Sequence, residues 1–264
     1  MPDDMTLPGN LVPTRPAAQP AEARDAVTVV LLRDGSEGVE AFLLRRVKGM
    51  AFAGGMTVFP GGGVDQRDAD TSVAWTGPSP EWWGSVFGVD PLTARAFVCA
   101  AVRETFEESG VLLAGPDPVS VVADTSAYAG ARQKLVDREI SLAQFLASEG
   151  LVLRADLLRP WANWVTPLEE PRRYDTRFFV AALPSGQRAD GETTEASDAS
   201  WQTPAEAIRD AAEGRRMLMP PTWRTLDEVG ALGSVEKVMA EERSVAKIIP
   251  KLIRDGDVVR VVLP

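Results

Sequence analysis

The chain has no histidine and only one cysteine, Cys99. Without histidine there is no Ser-His-Asp or Cys-His triad, no His-ligated zinc and no imidazole acid or base. A lone cysteine excludes an intramolecular disulfide and a CxxC metal site. No run of 18 apolar residues occurs, so no transmembrane helix is expected. Positive charge is in deficit as well. Lys and Arg number 28 against 38 Asp and Glu, a net charge of −10. That excess argues against broad binding to nucleic acid or an anionic membrane. It leaves room for a small anionic ligand held through a divalent cation. Any catalysis must therefore run on carboxylates, Lys, Arg, Tyr, hydroxyls or a bound metal.

What is present is ordinary globular material, 45% hydrophobic and 25% charged. Residues 1–24 are Pro- and Ala-rich, lack a basic start and an apolar core, and read as an extended, poorly ordered leader rather than a signal peptide. The expectation is a cytoplasmic protein. Residues 25–264 read as one domain. Ala26–Leu32 and Glu40–Val47 are predicted strands about an Asp34-Gly35 turn. Met56–Phe59 is a short strand, followed by a glycine loop, Pro60–Gly63. Residues 66–90 form an irregular segment with three tryptophans, expected to pack down. Asp90-Pro91 opens a helix that Gly110 closes. Val111–Ala114, Trp161–Thr166 and Arg177–Leu183 are further strands, and Ala129–Gly150 is one or two helices. Gly186–Ala199 is an acidic loop. Thr203-Pro204 opens a helix to about Glu213, one or two more fill Pro221–Arg243, and Lys251–Leu263 is a hairpin about Asp255-Gly256. This mixture is α+β.

The informative stretch is Arg103-Glu-Thr-Phe-Glu-Glu-Ser-Gly-Val111. At ~100° per residue, Glu104, Glu107 and Glu108 share one arc of a helix, while Phe97, Ala101 and Thr105 lie opposite. The plainer reading is a solvated acidic face. Two costs weigh against it. Like charges at this spacing repel by roughly 0.2–0.5 kcal/mol per pair. Anions in the last turn oppose the helix dipole by ~0.3–1 kcal/mol. A hard dication, which takes oxygen ligands, reverses both signs. Cys99, among Ala and Val in the same helix, reads as a small buried hydrophobe.

These residues, with Phe59-Pro-Gly-Gly62 before them, resemble the Nudix box, GX5EX7REUXEEXGU. The match holds at Gly62, Arg103, Glu104, Glu107, Glu108, Gly110 and Val111. Two departures stand out. Gly62 and Arg103 are 41 apart rather than 14, so about 27 residues are inserted, read as essentially the segment 66–90, and Thr105 replaces a bulky aliphatic residue. The box's first glutamate has two rival counterparts, Asp68 by spacing from Gly62 and Arg95 by counting back from Arg103. An interrupted box resembles the acyl-CoA diphosphatase branch. Gly55, Phe59 and Arg46 also match part of the signature of CoA pyrophosphatases, whose second arginine is Ala51 here and whose threonine is Leu44.

The resemblance implies an α/β/α sandwich with a mixed sheet, elaborated by the insertion and by a helical extension over 216–264. It implies hydrolysis of a nucleoside diphosphate linked to another moiety, with Mg2+ or Mn2+ held by Glu104, Glu107 and Glu108. Arg103 would orient a glutamate, and Gly61 and Gly62 would let the backbone approach the helix. The base is Glu104, or one of Glu192, Glu195 and Asp198 in the acidic loop. Arg46, Arg172, Arg173 and Arg177 are candidates for the second phosphate, Arg46 and Arg173 foremost. Phe52, Trp161, Trp164 and Tyr174 are candidates to stack on a base. The expected substrate is CoA or an acyl-CoA, with ADP-ribose, NADH or a nucleotide sugar as alternatives. An inactive ligand-binding module is a third reading. No nucleic-acid or membrane partner is expected, and a homodimer is compatible with the pattern.

Overall fold

Strand β1 (Thr6–Pro8) precedes the long pair β2 (Ala23–Gly35) and β3 (Gly38–Arg46). The computed structural model describes residues 6–8, 20–47, 49, 53–194, 196–256 and 258–264. Short strands β4 (Thr57–Val58) and β5 (Gly61–Gly63) follow. A 3-10 turn, Gln66–Ala69, and β6 (Trp75–Thr76) lead into helices α1 (Pro80–Phe87) and α2 (Pro91–Ser109). Next come β7 (Ala114–Gly115), α3 (Ala129–Val136), α4 (Leu142–Glu149) and β8 (Val152–Arg154). Strands β9 (Leu158–Val165), β10 (Arg173–Ala182) and β11 (Ala196–Gln202) return to the main sheet. The chain ends in α5 (Pro204–Ala212), α6 (Pro220–Leu232), α7 (Val235–Ala240), β12 (Lys247–Ile248), β13 (Lys251–Asp255) and β14 (Val258–Val262).

The main sheet runs β11-β3-β2-β10-β9-β12, with β4 on β3 and β5 on β2. β2 and β10 pair in parallel while β2–β3 and β9–β10 are antiparallel, so the sheet is mixed. Strand alternation divides its side chains between two cores. Val27, Val29, Leu31, Phe42 and Leu44 join Phe97, Ala101 and Phe106 of α2 on one face. Val30, Leu32, Val39, Ala41 and Leu43 join Ala207, Leu226 and Val229 of α5 and α6 on the other. Both faces are covered, which is why β2 reads as an almost unbroken apolar run. The result is the expected α/β/α sandwich.

The inserted segment packs down, but it is not irregular. Ser79 caps α1 by accepting from Trp82 N–H, and Gly88 closes it. Trp83 of α1 is fully buried, 5.5 Å from Phe179 of β10 and stacked on Phe87 at 6.0 Å. Arg95 of α2 donates to the carbonyls of Asp70, Thr71 and Val73, fastening the insertion to the helix. Other expectations need correction. The Pro60–Gly63 loop contains a strand, because Gly61–Gly63 pairs with Ala26–Thr28. The acidic loop ends early: β11 starts at Ala196 and pairs with Arg46 of β3. Of Val111–Ala114 only Ala114 enters a ladder, the rest being buried coil. The leader contributes Thr6–Pro8, paired with Val258–Arg260 of β14. The C-terminal extension is helical through α7 and then turns to strands, including the expected hairpin. Among the described residues no single helix is long and apolar enough to cross a membrane.

Helix α5 begins with a reciprocal cap. Thr203 Oγ1 accepts from Glu206 N–H, and a Glu206 carboxylate oxygen accepts from Thr203 N–H. Replacing Thr203 with alanine removes one half of it. The expected loss is about 1 kcal/mol, read as a fall of roughly 2–4 °C in a thermal melt.

Candidate active site

The site is built where the last two turns of α2 meet β5. Asp90 caps α2, its side chain accepting from Leu92 and Thr93 N–H, and Gly110 ends it in the left-handed conformation at φ 72°. Between these signals the helical spacing turns Glu104, Glu107 and Glu108 toward one cavity and buries Ala101 and Thr105 completely. Thr105, where the box has an aliphatic residue, satisfies its hydroxyl by donating to Ala101 O at 2.7 Å.

The glycines of β5 are needed for close approach. A Cβ on Gly61 would lie 2.3 Å from Val27 O, and one on Gly62 would lie 2.5 Å from Glu104 Oε1. Gly61 N–H donates to Glu108 Oε2 at 2.8 Å. Gly63 O accepts from Arg103 Nη2 at 2.9 Å.

Arg103 is the hub. Its Nε and Nη2 donate to Asp68 Oδ1 and Oδ2 at 3.0 and 2.9 Å, a bidentate pair, and Asp68 is 2% exposed. Its Nη1 donates to Glu104 Oε1 at 2.8 Å and Glu107 Oε2 at 3.2 Å. Of the two rival counterparts of the box's first acid, Asp68 pairs with Arg103, while Arg95 fastens the inserted segment. Burial works against the Arg103 charge, but Asp68, Glu104 and Glu107 hold its pKa above the ordinary value. Burial pushes the Glu104 carboxyl up to about 7; Arg103 opposes this and Glu107 adds to it. Burial likewise raises Glu107, with Arg103 opposing.

Among the described residues no three of these acids converge closely enough to share an ion as they stand. The Arg103 guanidinium bridges Glu104 and Glu107, and Glu108 faces Gly61. The chemistry of the donor set nevertheless fits a hard dication: clustered carboxylates, two of them held back from ionising by burial, which a cation would relieve.

The cavity beside this cluster is about 680 Å3, within the range of small-molecule sites. Its other walls include Trp164, Tyr174, Phe178, Met219, Leu252 and Val261. Of the predicted residues, Arg46, Gly61, Gly62, Arg103, Glu104, Glu107, Glu108, Trp164 and Tyr174 line it. Arg173 does not: it donates to the carbonyls of Thr166, Pro167 and Ala21, joining the start of β10 to the start of β2. Arg177 is buried, paired with Asp25 and Asp175 and lying over the Phe97 ring. Arg172 is exposed and outside the lining. Trp161 belongs to the second core, under Arg243 at 4.1 Å. Glu192 and Asp198 are exposed and outside the lining; their loop lends the cavity Thr193 and Thr194 instead. Ala51, Phe52 and Glu195 lie outside the described residues. Cys99 is buried, which raises its thiol to about 12 and leaves it inert. Sequence reasoning missed the lining residues Glu170 and Arg138; each lies in a turn with no motif to mark it.

Comparison with known proteins agrees with this geometry. The family model described as the NUDT19 Nudix domain matches residues 85–229, more than half of the chain. The chain is 24% identical over 237 residues to the acyl-coenzyme A diphosphatase NUDT19 of Xenopus laevis, covering 75% of this chain and 61% of that protein. It is 30% identical over 207 residues to the putative nudix hydrolase 7 of Caenorhabditis elegans, covering 75% and 57% respectively. The chain thus spans about three fifths of the length of these curated relatives. The crystal structure of a NUDIX hydrolase from Alicyclobacillus acidocaldarius superposes with a TM-score of 0.70 at 26% identity, covering 86% of this chain and 99% of that one. The chain belongs to the Nudix hydrolase family, in the group that the NUDT19 Nudix domain describes.

Proposed function

We propose that this chain hydrolyses the pyrophosphate bridge of CoA or an acyl-CoA with the help of Mg2+ or Mn2+. The observation that carries the reading is the Glu104, Glu107 and Glu108 cluster, organised by Arg103 and Asp68 and open to a cavity with both charged and apolar walls. The relatives named acyl-coenzyme A diphosphatase favour this substrate, as does the partial signature at Arg46, Gly55 and Phe59. The cation, held by the three glutamates, would neutralise the diphosphate and acidify a bound water. The chain's own residues do the rest. Arg103 fixes Asp68 and so the junction between β5 and α2. Gly61 N–H holds the Glu108 carboxylate in place. Glu104, buried beside Gly62 and accepting from Arg103, is the candidate base that takes a proton from the attacking water.

The test is hydrolysis of CoA, an acyl-CoA, ADP-ribose, NADH and a nucleotide sugar, with and without Mg2+ or Mn2+. Metal-dependent turnover of CoA or acyl-CoA is expected, falling about a hundredfold or more in Glu108→Gln. Preferred turnover of ADP-ribose or NADH overturns the substrate. No turnover of any of them by folded, metal-loaded protein overturns the enzyme reading in favour of a ligand-binding module.

A further inference from the structure

The turn after α3 is closed by an unusual residue. Helices α1, α2, α4 and α6 all end on a left-handed glycine: Gly88, Gly110, Gly150 and Gly233, with φ between 63° and 78°. Glycine is used there because a Cβ is strained in that conformation. After α3 the left-handed position holds Arg138, at φ 59°. Its N–H donates to Leu135 O at 2.9 Å, and the next N–H, of Glu139, donates to Lys134 O at 2.8 Å. These are the bonds a glycine would make. The side chain is thus kept at a position where the backbone favours having none, a pattern that points to function rather than folding.

Where that side chain stands gives it a use. Arg138 is exposed yet lines the cavity, next to Leu135 and Val136 at the end of α3. Its charge acts on Glu107, favouring the ionised carboxylate. Among the described residues its guanidinium has no hydrogen-bond or ion-pair partner. Its backbone is anchored, because its carbonyl accepts from Arg67 Nη1 at 3.2 Å. Arg67 is itself paired with Asp65, just beyond β5. The turn is therefore tied to the glycine strand that builds the carboxylate site.

We infer that Arg138 is the recognition point for a phosphomonoester that the substrate carries apart from its pyrophosphate bridge, an inference that rests on the diphosphatase reading above. The bridge belongs at the carboxylates. On this inference the nucleotide end of the substrate sits toward this rim, where the guanidinium meets whatever projects from it. Its planar fork suits a dianionic phosphate, and its charge offsets the repulsion that a protein of net charge −10 exerts on such a group.

Arg138→Gly tests this, since glycine suits the backbone and the variant is expected to melt no lower than the native chain. Hydrolysis of CoA is compared with that of dephospho-CoA, which lacks the phosphomonoester. Binding of adenosine 3′,5′-bisphosphate is compared with that of AMP by calorimetry. In Arg138→Gly the CoA to dephospho-CoA ratio of kcat/KM is expected to fall about tenfold, with a matching loss of preference for the bisphosphate. Equal losses on both substrates, or no change in either ratio, overturns the inference. If the native chain hydrolyses neither compound, the binding ratio still decides. A bisphosphate preference lost in the variant keeps the site while the diphosphatase reading fails; no preference in the native chain removes the site.

Discussion

Glu104→Gln is expected to cut hydrolysis about a thousandfold and, at pH 8 without metal, to raise the melting temperature. The two effects share one cause. Glu104 is 8% exposed, and burial holds its carboxyl near 7 against an ordinary value of 4.5. Between those values the folded chain binds more protons at this position than the unfolded chain does. The stability this group contributes is therefore fully present below about 4.5 and lost as pH rises through about 7. The full loss is roughly 3 kcal/mol. Glutamine has the same shape, its amide oxygen can still accept from Arg103 Nη1, and it carries no charge to desolvate. Melting the two proteins side by side from pH 5 to 8 reads this group together with Glu107, which shares Arg103 with it. The difference is expected to grow with pH in favour of the variant. Adding Mg2+ should stabilise the native chain most above pH 7, where Glu104 is ionised, and the variant much less. A variant that melts lower at pH 8, or that keeps the full Mg2+ shift, would contradict the assignment of Glu104 as a strained metal-site carboxylate.

Much of this site is legible in the sequence because its signals are local. Asp90-Pro91 and Gly110 bracket α2, and the spacing of Glu104, Glu107 and Glu108 fixes their common face without reference to the rest of the fold. Asp68 was ambiguous because the insertion can be placed on either side of it. The turn Gln66–Ala69, capped by Asp65, keeps Asp68 beside β5 and puts the inserted residues after it. The arginines of 172–177 stand outside the cavity lining, because density of charge says nothing about facing. In β10 the even positions Tyr174, Thr176 and Phe178 face the cavity, while Arg177 lies over Phe97 of α2 and is consumed by Asp25 and Asp175. Strand β11 was hidden for a different reason. It is the edge of the sheet and half exposed, so Ala196–Gln202 needs no apolar alternation and reads as loop. Arg138 has no local signal except a helix that ends without glycine, which gains meaning only once the turn is seen to border the cavity.

Asp68→Ala is expected to be the most damaging single change to stability in the site, at about 3–5 kcal/mol. Arg103 is only 12% exposed in its side chain, and Asp68 supplies two of its hydrogen bonds. Removing Asp68 leaves a buried guanidinium whose remaining partners are Glu104, Glu107 and the Gly63 carbonyl. The turn over Gln66–Ala69 also loses its reciprocal cap, since Asp68 accepts from Asp65 N–H at 2.8 Å. Chemical denaturation gives the magnitude, and two further variants separate structure from chemistry. Asp68→Glu restores the acid that the Nudix box carries at this spacing and is expected to recover both stability and turnover. Asp68→Ala combined with Arg103→Met removes the pair together. Because the unpaired guanidinium goes but Glu104 and Glu107 lose their cation, the double variant should recover only part of the stability lost by the single one. It should not recover turnover, because Glu104 and Glu107 lose the guanidinium that sets their positions. Recovery of activity along with stability would mean that Arg103 serves only to hold the fold together, and that the carboxylates orient themselves.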